Sequence, residues 1–154
     1  VKLEGGGRLA DTVQQLSRNG IPICAHLGLL PQSVHKLGGY KVQGREEAAA
    51  RLIIDEALLL QEAGADMALV ECIPAELAAR LTEALTIPLI GIGAGASCDA
   101  QVLVCYDMLG ITPGRRPKFS KNFLTGCDSL QAAVEAYVRA VKSGEFPGPE
   151  HCLA

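Results

Sequence analysis

Apolar runs of strand length recur along the chain, each closed by polar or glycine residues and followed by apolar positions at helical spacing. Four such runs are "VKLEGG", "IPICAHLG", "MALVECIP" and "PLIGIGAG". Runs that are apolar on both faces suit parallel strands covered by helices, unlike the alternating pattern of half-exposed antiparallel strands. The segments between them, "GRLADTVQQLSRNG", "EEAAARLIIDEALLLQEAGA" and "PAELAARLTEAL", place apolar residues on one helical face. The first two end on Gly20 and Gly64, which suit a helix C-terminus. The pattern therefore predicts a βαβαβα order and an α/β fold.

Beyond Gly95 the pattern is less decisive. In "SCDAQVLVCYDMLG", Val102 to Tyr106 read as a fifth strand, while Ser97 would suit the start of a short helix; the strand is the favoured reading. "DSLQAAVEAYVRAVKSG" is an amphipathic helix with Asp128 or Ser129 at its start and Gly144 at its end. No linker or low-complexity segment divides the chain, so a single domain is expected. The connection Leu29 to Gly44, "LLPQSVHKLGGYKVQG", is longer than α/β units ordinarily need and lacks a regular pattern, which marks it as a functional loop.

Composition narrows the classes of partner. The 154 residues are 49% apolar with a net charge of -3, enough for a sizeable core and too weakly charged for a nucleic-acid footprint. No apolar run reaches the ~18 residues of a membrane span, and no leader pattern opens the chain. These features predict a cytoplasmic protein that meets small molecules or copies of itself. The six cysteines form no C-x-x-C pair and read as reduced core thiols. A chain that starts on Val1 inside a strand-like run suggests a piece of a longer polypeptide.

In parallel α/β folds the chemistry collects at the carboxyl ends of the strands, where the βα loops converge. Four polar groups fall there. Lys2 and Glu4 are two apart on one strand and share a side; His26 and Glu71 close the next two. Singly each has an ordinary structural reading: an ion pair for Lys2 with Glu4, a satisfied core histidine, a hydrogen-bonding glutamate. Their joint placement favours a site. "GIGAGAS", Gly91 to Ser97, resembles a phosphate cradle but lacks the full G-x-G-x-x-G pattern, and room for close packing is the stronger reading of its glycines. Arg115, Arg116, Lys118 and Lys121 read as a solvated loop, and His35 and His151 have no metal-ligand spacing.

The segments "VKLEGG", "CAHLGLLPQSV", "GGYKVQG", "ECIPAELA", "IPLIGIGAG" and "PKFSKNF", in this order, resemble ketopantoate hydroxymethyltransferases. The resemblance implies a (β/α)8 TIM barrel that assembles into homo-oligomers, commonly decamers. It implies magnesium-dependent transfer of a one-carbon unit from 5,10-methylenetetrahydrofolate to α-ketoisovalerate, giving ketopantoate. By motif, Glu71 corresponds to the proton acceptor, Lys2 to a substrate-binding lysine and Glu4 to a magnesium-site carboxylate, with His26 lining the same pocket and meeting the substrate carboxylate. Magnesium prefers oxygen ligands, which suits a 2-oxo acid and carboxylates.

The resemblance covers the later part of a family member, about five of the eight βα units, a partial barrel. The first three units, with two metal-binding aspartates and a substrate-binding serine, have no counterpart here. Tyr106 and Ala100 also stand where the family usually has His and Gly. Two rivals follow: a catalytically silent barrel fragment with a binding or assembly role, and a phosphate-binding barrel enzyme using "GIGAGAS".

Overall fold

A computed structural model describes residues 1–36 and 38–153. Five parallel strands lie in sequence order: β1 (Lys2–Glu4), β2 (Cys24–Gly28), β3 (Met67–Glu71), β4 (Leu89–Ile92) and β5 (Ala100–Gln101). The first three are joined through α1 (Ala10–Arg18) and α2 (Glu47–Glu62), and α3 (Ala75–Ala84) leads into β4. Each of these elements falls inside the segment whose apolar spacing predicts it.

The core explains why the strands are apolar. Ala25, Leu27, Ala68, Val70 and Leu89 point to one side and pack with Val13, Ile53, Ala57, Leu60, Leu77 and Leu81 of the helices. Burying a side chain of this size contributes ~1.5–3 kcal/mol relative to leaving it exposed, so this layer fixes the register. The alternate residues Lys2, Glu4, Cys24, His26, Leu69 and Glu71 are not part of that cluster and look to the other side of the sheet. Helix ends close as their glycines suggest, with Gly20 at φ +74° and Gly64 at φ +106°.

The region after β4 departs from expectation. No strand runs from Val102 to Tyr106: β5 is two residues long, Val102 gives one last bond to the Gly91 carbonyl, and Cys105–Met108 form a single helical turn, α4. Val102, Val104 and Tyr106 are left exposed, and the apolar residues around them pack away from the sheet. Met108 joins Phe123, Ala133, Ala140 and Phe146 in a second buried cluster, with Leu103 and Leu109 packed against it. An apolar run of this length carries no signal that separates these outcomes.

Nor does a helix start at Ser97; Asp99 instead turns back to accept from the Leu89 amide at 2.8 Å. The final helix α5 (Leu130–Lys142) is as expected, its start fixed by Ser129 Oγ accepting from the Ala132 amide at 3.1 Å. The sheet is open, with β1 and β5 as its edges. The five strands form an α/β arrangement in keeping with part of a barrel, and a closed barrel is not present among them.

Candidate active site

Strand register gathers the four polar groups, although only Glu4 and Glu71 end their strands: Lys2 opens β1, and His26 lies in the middle of β2 because the strand runs on to Gly28. Glu4 pairs with His26, which pairs with Leu69, and Glu71 lies two residues further along β3 on the same side. Their side chains form a chain of contacts. Lys2 Nζ is 3.3 Å from Glu4 Oε1 and 3.0 Å from His26 Nδ1, and His26 Nε2 is 3.2 Å from Glu71 Oε2. The His26 side chain is 3% exposed, Glu4 and Glu71 are 16% and 15%, and Lys2 is 46%, so the row runs from solvent into the protein.

The contacts define hydrogen-bond roles. An ammonium group only donates, so Lys2 donates to His26 Nδ1 and the ring proton sits on Nε2, facing the Glu71 carboxylate. The approach is close, yet Nε2 has no well-aligned acceptor and is a buried ring nitrogen without a hydrogen-bond partner. A polar atom left so in a buried position is costly to the fold and marks a place where a ligand atom could satisfy it.

Backbone around Glu71 is held from three sides. The Leu29 amide donates to the Glu71 carbonyl at 2.8 Å, the Cys72 amide donates to the Ile92 carbonyl at 2.9 Å, and the Gln43 amide donates to the Cys72 carbonyl at 2.9 Å. Gly28, at φ +83°, lies so near the Glu71 carbonyl that a Cβ there would collide with it. The long loop, which contains a short turn at Pro31–Ser33, is thus pinned at two points, since the Gln32 amide also donates to Glu4 Oε2 at 3.1 Å. The sequence marks the loop as functional but gives no sign of these amides, nor of the left-handed backbone at Cys72, which lies at φ +50°.

Other candidates fall away from this row. A Cβ on Gly91 would lie 2.7 Å from Cys98 Sγ, on Gly93 2.8 Å from the Phe119 ring and on Gly95 2.6 Å from the Ala75 methyl. The glycines of "GIGAGAS" therefore make room for protein side chains, and no helix follows them to aim amides at a phosphate. His151 is buried and accepts from the Gly148 amide at 3.0 Å. A cavity of about 790 Å³ lies against α5, lined by Lys121, Phe123, Arg139 and Glu145 among others, and none of the four polar groups of the row lines it.

Magnesium would need several hard oxygen ligands. Among the described residues no three His, Cys, Asp or Glu side chains are arranged to hold a metal ion. Glu4 is the one carboxylate in the chain that the resemblance assigns to such a site, and both its oxygens already face donors, Gln32 N on one and Lys2 Nζ on the other. The described residues by themselves do not make up a magnesium site. Among the described residues no helix is long and apolar enough to cross a membrane.

The profile of a family described as ketopantoate hydroxymethyltransferase matches residues 1–149. Proteins named 3-methyl-2-oxobutanoate hydroxymethyltransferase are similar throughout. That of Nitrosococcus oceani is 61% identical over 147 residues, covering 96% of this chain and 56% of the relative. The Alkalilimnicola ehrlichii protein is 60% identical over 151 residues, 98% of this chain and 54% of the relative. A Marinomonas protein is 62% identical over 151 residues, 98% and 55%. The chain thus spans about half the length of the curated relatives it matches.

Proposed function

The chain belongs to the ketopantoate hydroxymethyltransferase family, and from that premise we propose that it forms the proton-abstracting half of an enzyme that converts α-ketoisovalerate to ketopantoate, with 5,10-methylenetetrahydrofolate as the one-carbon donor. The observation that carries this reading is the row Lys2–His26–Glu71 with Glu4 beside it, three of the four groups largely enclosed on one side of the sheet. Glu71 takes the C3 proton of the 2-oxo acid. Lys2, the most exposed member, meets the substrate carboxylate and balances the negative charge that develops on the enolate. His26, its proton on Nε2, faces the same pocket beside Glu71, and this nitrogen without a partner is free to donate to the bound 2-oxo acid. The enolate carbon then bonds to the folate-borne methylene, the methylene's two bonds to tetrahydrofolate nitrogens break, and water supplies the hydroxyl oxygen, so that ketopantoate and tetrahydrofolate are the products.

The family resemblance adds magnesium, which would polarise the keto group; because the described residues do not assemble its ligands, no step above runs through the metal. We propose that the remaining ligands and strands lie in polypeptide outside Val1–Ala154, closing a (β/α)8 barrel that assembles as a homo-oligomer. Two open sheet edges, with a row of functional groups on the side of the sheet opposite the main core cluster, support that reading. The incomplete ligand set favours a second reading for the chain in isolation, a catalytically silent fragment that binds 2-oxo acids weakly.

The test follows the C3 proton signal of α-ketoisovalerate in D₂O by proton NMR, with magnesium and without folate. In the complete polypeptide the signal is expected to decay, and Glu71→Gln is expected to slow the decay by ~10²–10⁴-fold, the contribution of a positioned general base, while the 2-oxo acid still binds. Undiminished exchange in Glu71→Gln would remove Glu71 as the base. Exchange by Val1–Ala154 alone would sink the silent-fragment reading.

A further inference from the structure

Cys72 is, among the described residues, the only one other than glycine with a positive φ, at +50°. For an L-residue the left-handed region is unfavourable, and such a conformation persists where the surroundings over-determine it. Here they do. The Cys72 amide donates to the Ile92 carbonyl on β4, its carbonyl accepts from Gln43 in the long loop, and the next residue, Ile73, is fully buried just before Pro74 leads into α3. Strand β3 therefore ends in a forced turn directly after Glu71.

The thiol itself has no evident chemical task. It is 7% exposed, and burial with the neighbouring Glu71 charge pushes it up to about 12, so it stays protonated and unreactive near neutral pH. What distinguishes the position is its backbone.

We propose that Cys72 is a positioning residue: its left-handed turn, locked between β4 and the long loop, sets the direction in which Glu71 presents its carboxylate to the substrate. This rests on Glu71 being the proton acceptor. An extended conformation at residue 72 would keep the ladder bond to Ile92 but carry the chain straight on along β3, lose the Gln43 bond, and redirect the peptide that follows Cys72 away from Pro74 and α3. Gly28 completes the arrangement, because only a residue without Cβ lets β2 approach the Glu71 carbonyl from the opposite side.

The proposal predicts dependence on backbone conformation and not on sulfur. In the complete polypeptide, Cys72→Ala and Cys72→Gly keep a residue able to hold φ near +50° and are expected to retain C3 proton exchange within about threefold. Cys72→Val, β-branched and strongly disfavoured in that region, is expected to lower exchange at least thirtyfold with the 2-oxo acid dissociation constant unchanged. Its pH–rate profile is expected to be altered as well. Where Cys72→Val does not fold, by circular dichroism, Gln43→Pro carries the test: it deletes the amide bonded to Cys72 from an exposed loop, and a tenfold loss of exchange at an unchanged melting temperature is expected. Wild-type exchange in the folded Val variant, or in Gln43→Pro where Val does not fold, would overturn the proposal. So would an Ala variant as impaired as Val, which would assign the role to the thiol. Full exchange in Glu71→Gln would instead overturn the role of Glu71, so the two failures are distinguishable.

Discussion

At the scale of single residues, the polar groups of the row behave as a connected set. Lys2 donates to Nδ1 of His26, whose Nε2 lies 3.2 Å from Glu71 Oε2, so removing Lys2 frees Nδ1 and loosens the ring beside Glu71. Lys2→Ala is expected to raise the 2-oxo acid dissociation constant about tenfold, a loss of ~1.4 kcal/mol. Folding should change by less than ~1 kcal/mol, because the Lys2 end of its ion pair is half-exposed. Titration calorimetry and a denaturant midpoint check the two halves of that statement. The buried thiols give a pH dependence. Burial, with the charge of Glu71 or Asp99 beside it, raises Cys72 to about 12 and Cys98 to about 11 from 9.0. Above pH 9 the unfolded chain releases protons that these folded thiols keep, so their contribution to stability, fully present below pH 9, is lost as pH rises toward 11 and 12. Denaturant midpoints measured from pH 8 to 11 should fall at the alkaline end, and less so in Cys98→Ala.

At the scale of elements, the local signals were of unequal strength. The strands β1 to β4 and the helices α1 to α3 were legible because apolar period, length and terminal glycines agreed with one another. The start of α5 was legible from its cap: Ser129→Ala, which removes the acceptor of the Ala132 amide, is expected to cost ~1 kcal/mol, read from the thermal midpoint of the folded chain. The stretch from Val102 to Met108 was not legible, since its apolar residues satisfy either a sheet or a helical turn, and the choice was made by Phe123 and Phe146 across the second cluster. The glycines of "GIGAGAS" show the same limit: their spacing admits a ligand loop, while their neighbours Phe119, Ala75 and Cys98 turn them into packing spacers.

At the scale of the whole molecule, the sheet is unfinished. Edge strands β1 and β5 each have one unpaired side, an arrangement that invites pairing with other chains. Val1–Ala154 is therefore expected to self-associate with rising concentration, seen as a concentration-dependent sedimentation coefficient. The sequence by itself determined the parallel α/β order, the family, and the placement of Glu4 and Glu71 at strand ends, because period and motif are local properties of the chain; the structure sets Lys2 at the start of β1 and His26 in the middle of β2. Only the tertiary structure decided that His26 bridges Lys2 to Glu71, that the long loop is tied to Glu4 and Cys72, and that Cys72 turns left-handed. Those outcomes depend on which backbone amides and carbonyls meet when distant segments pack, and no local pattern of side chains encodes that meeting.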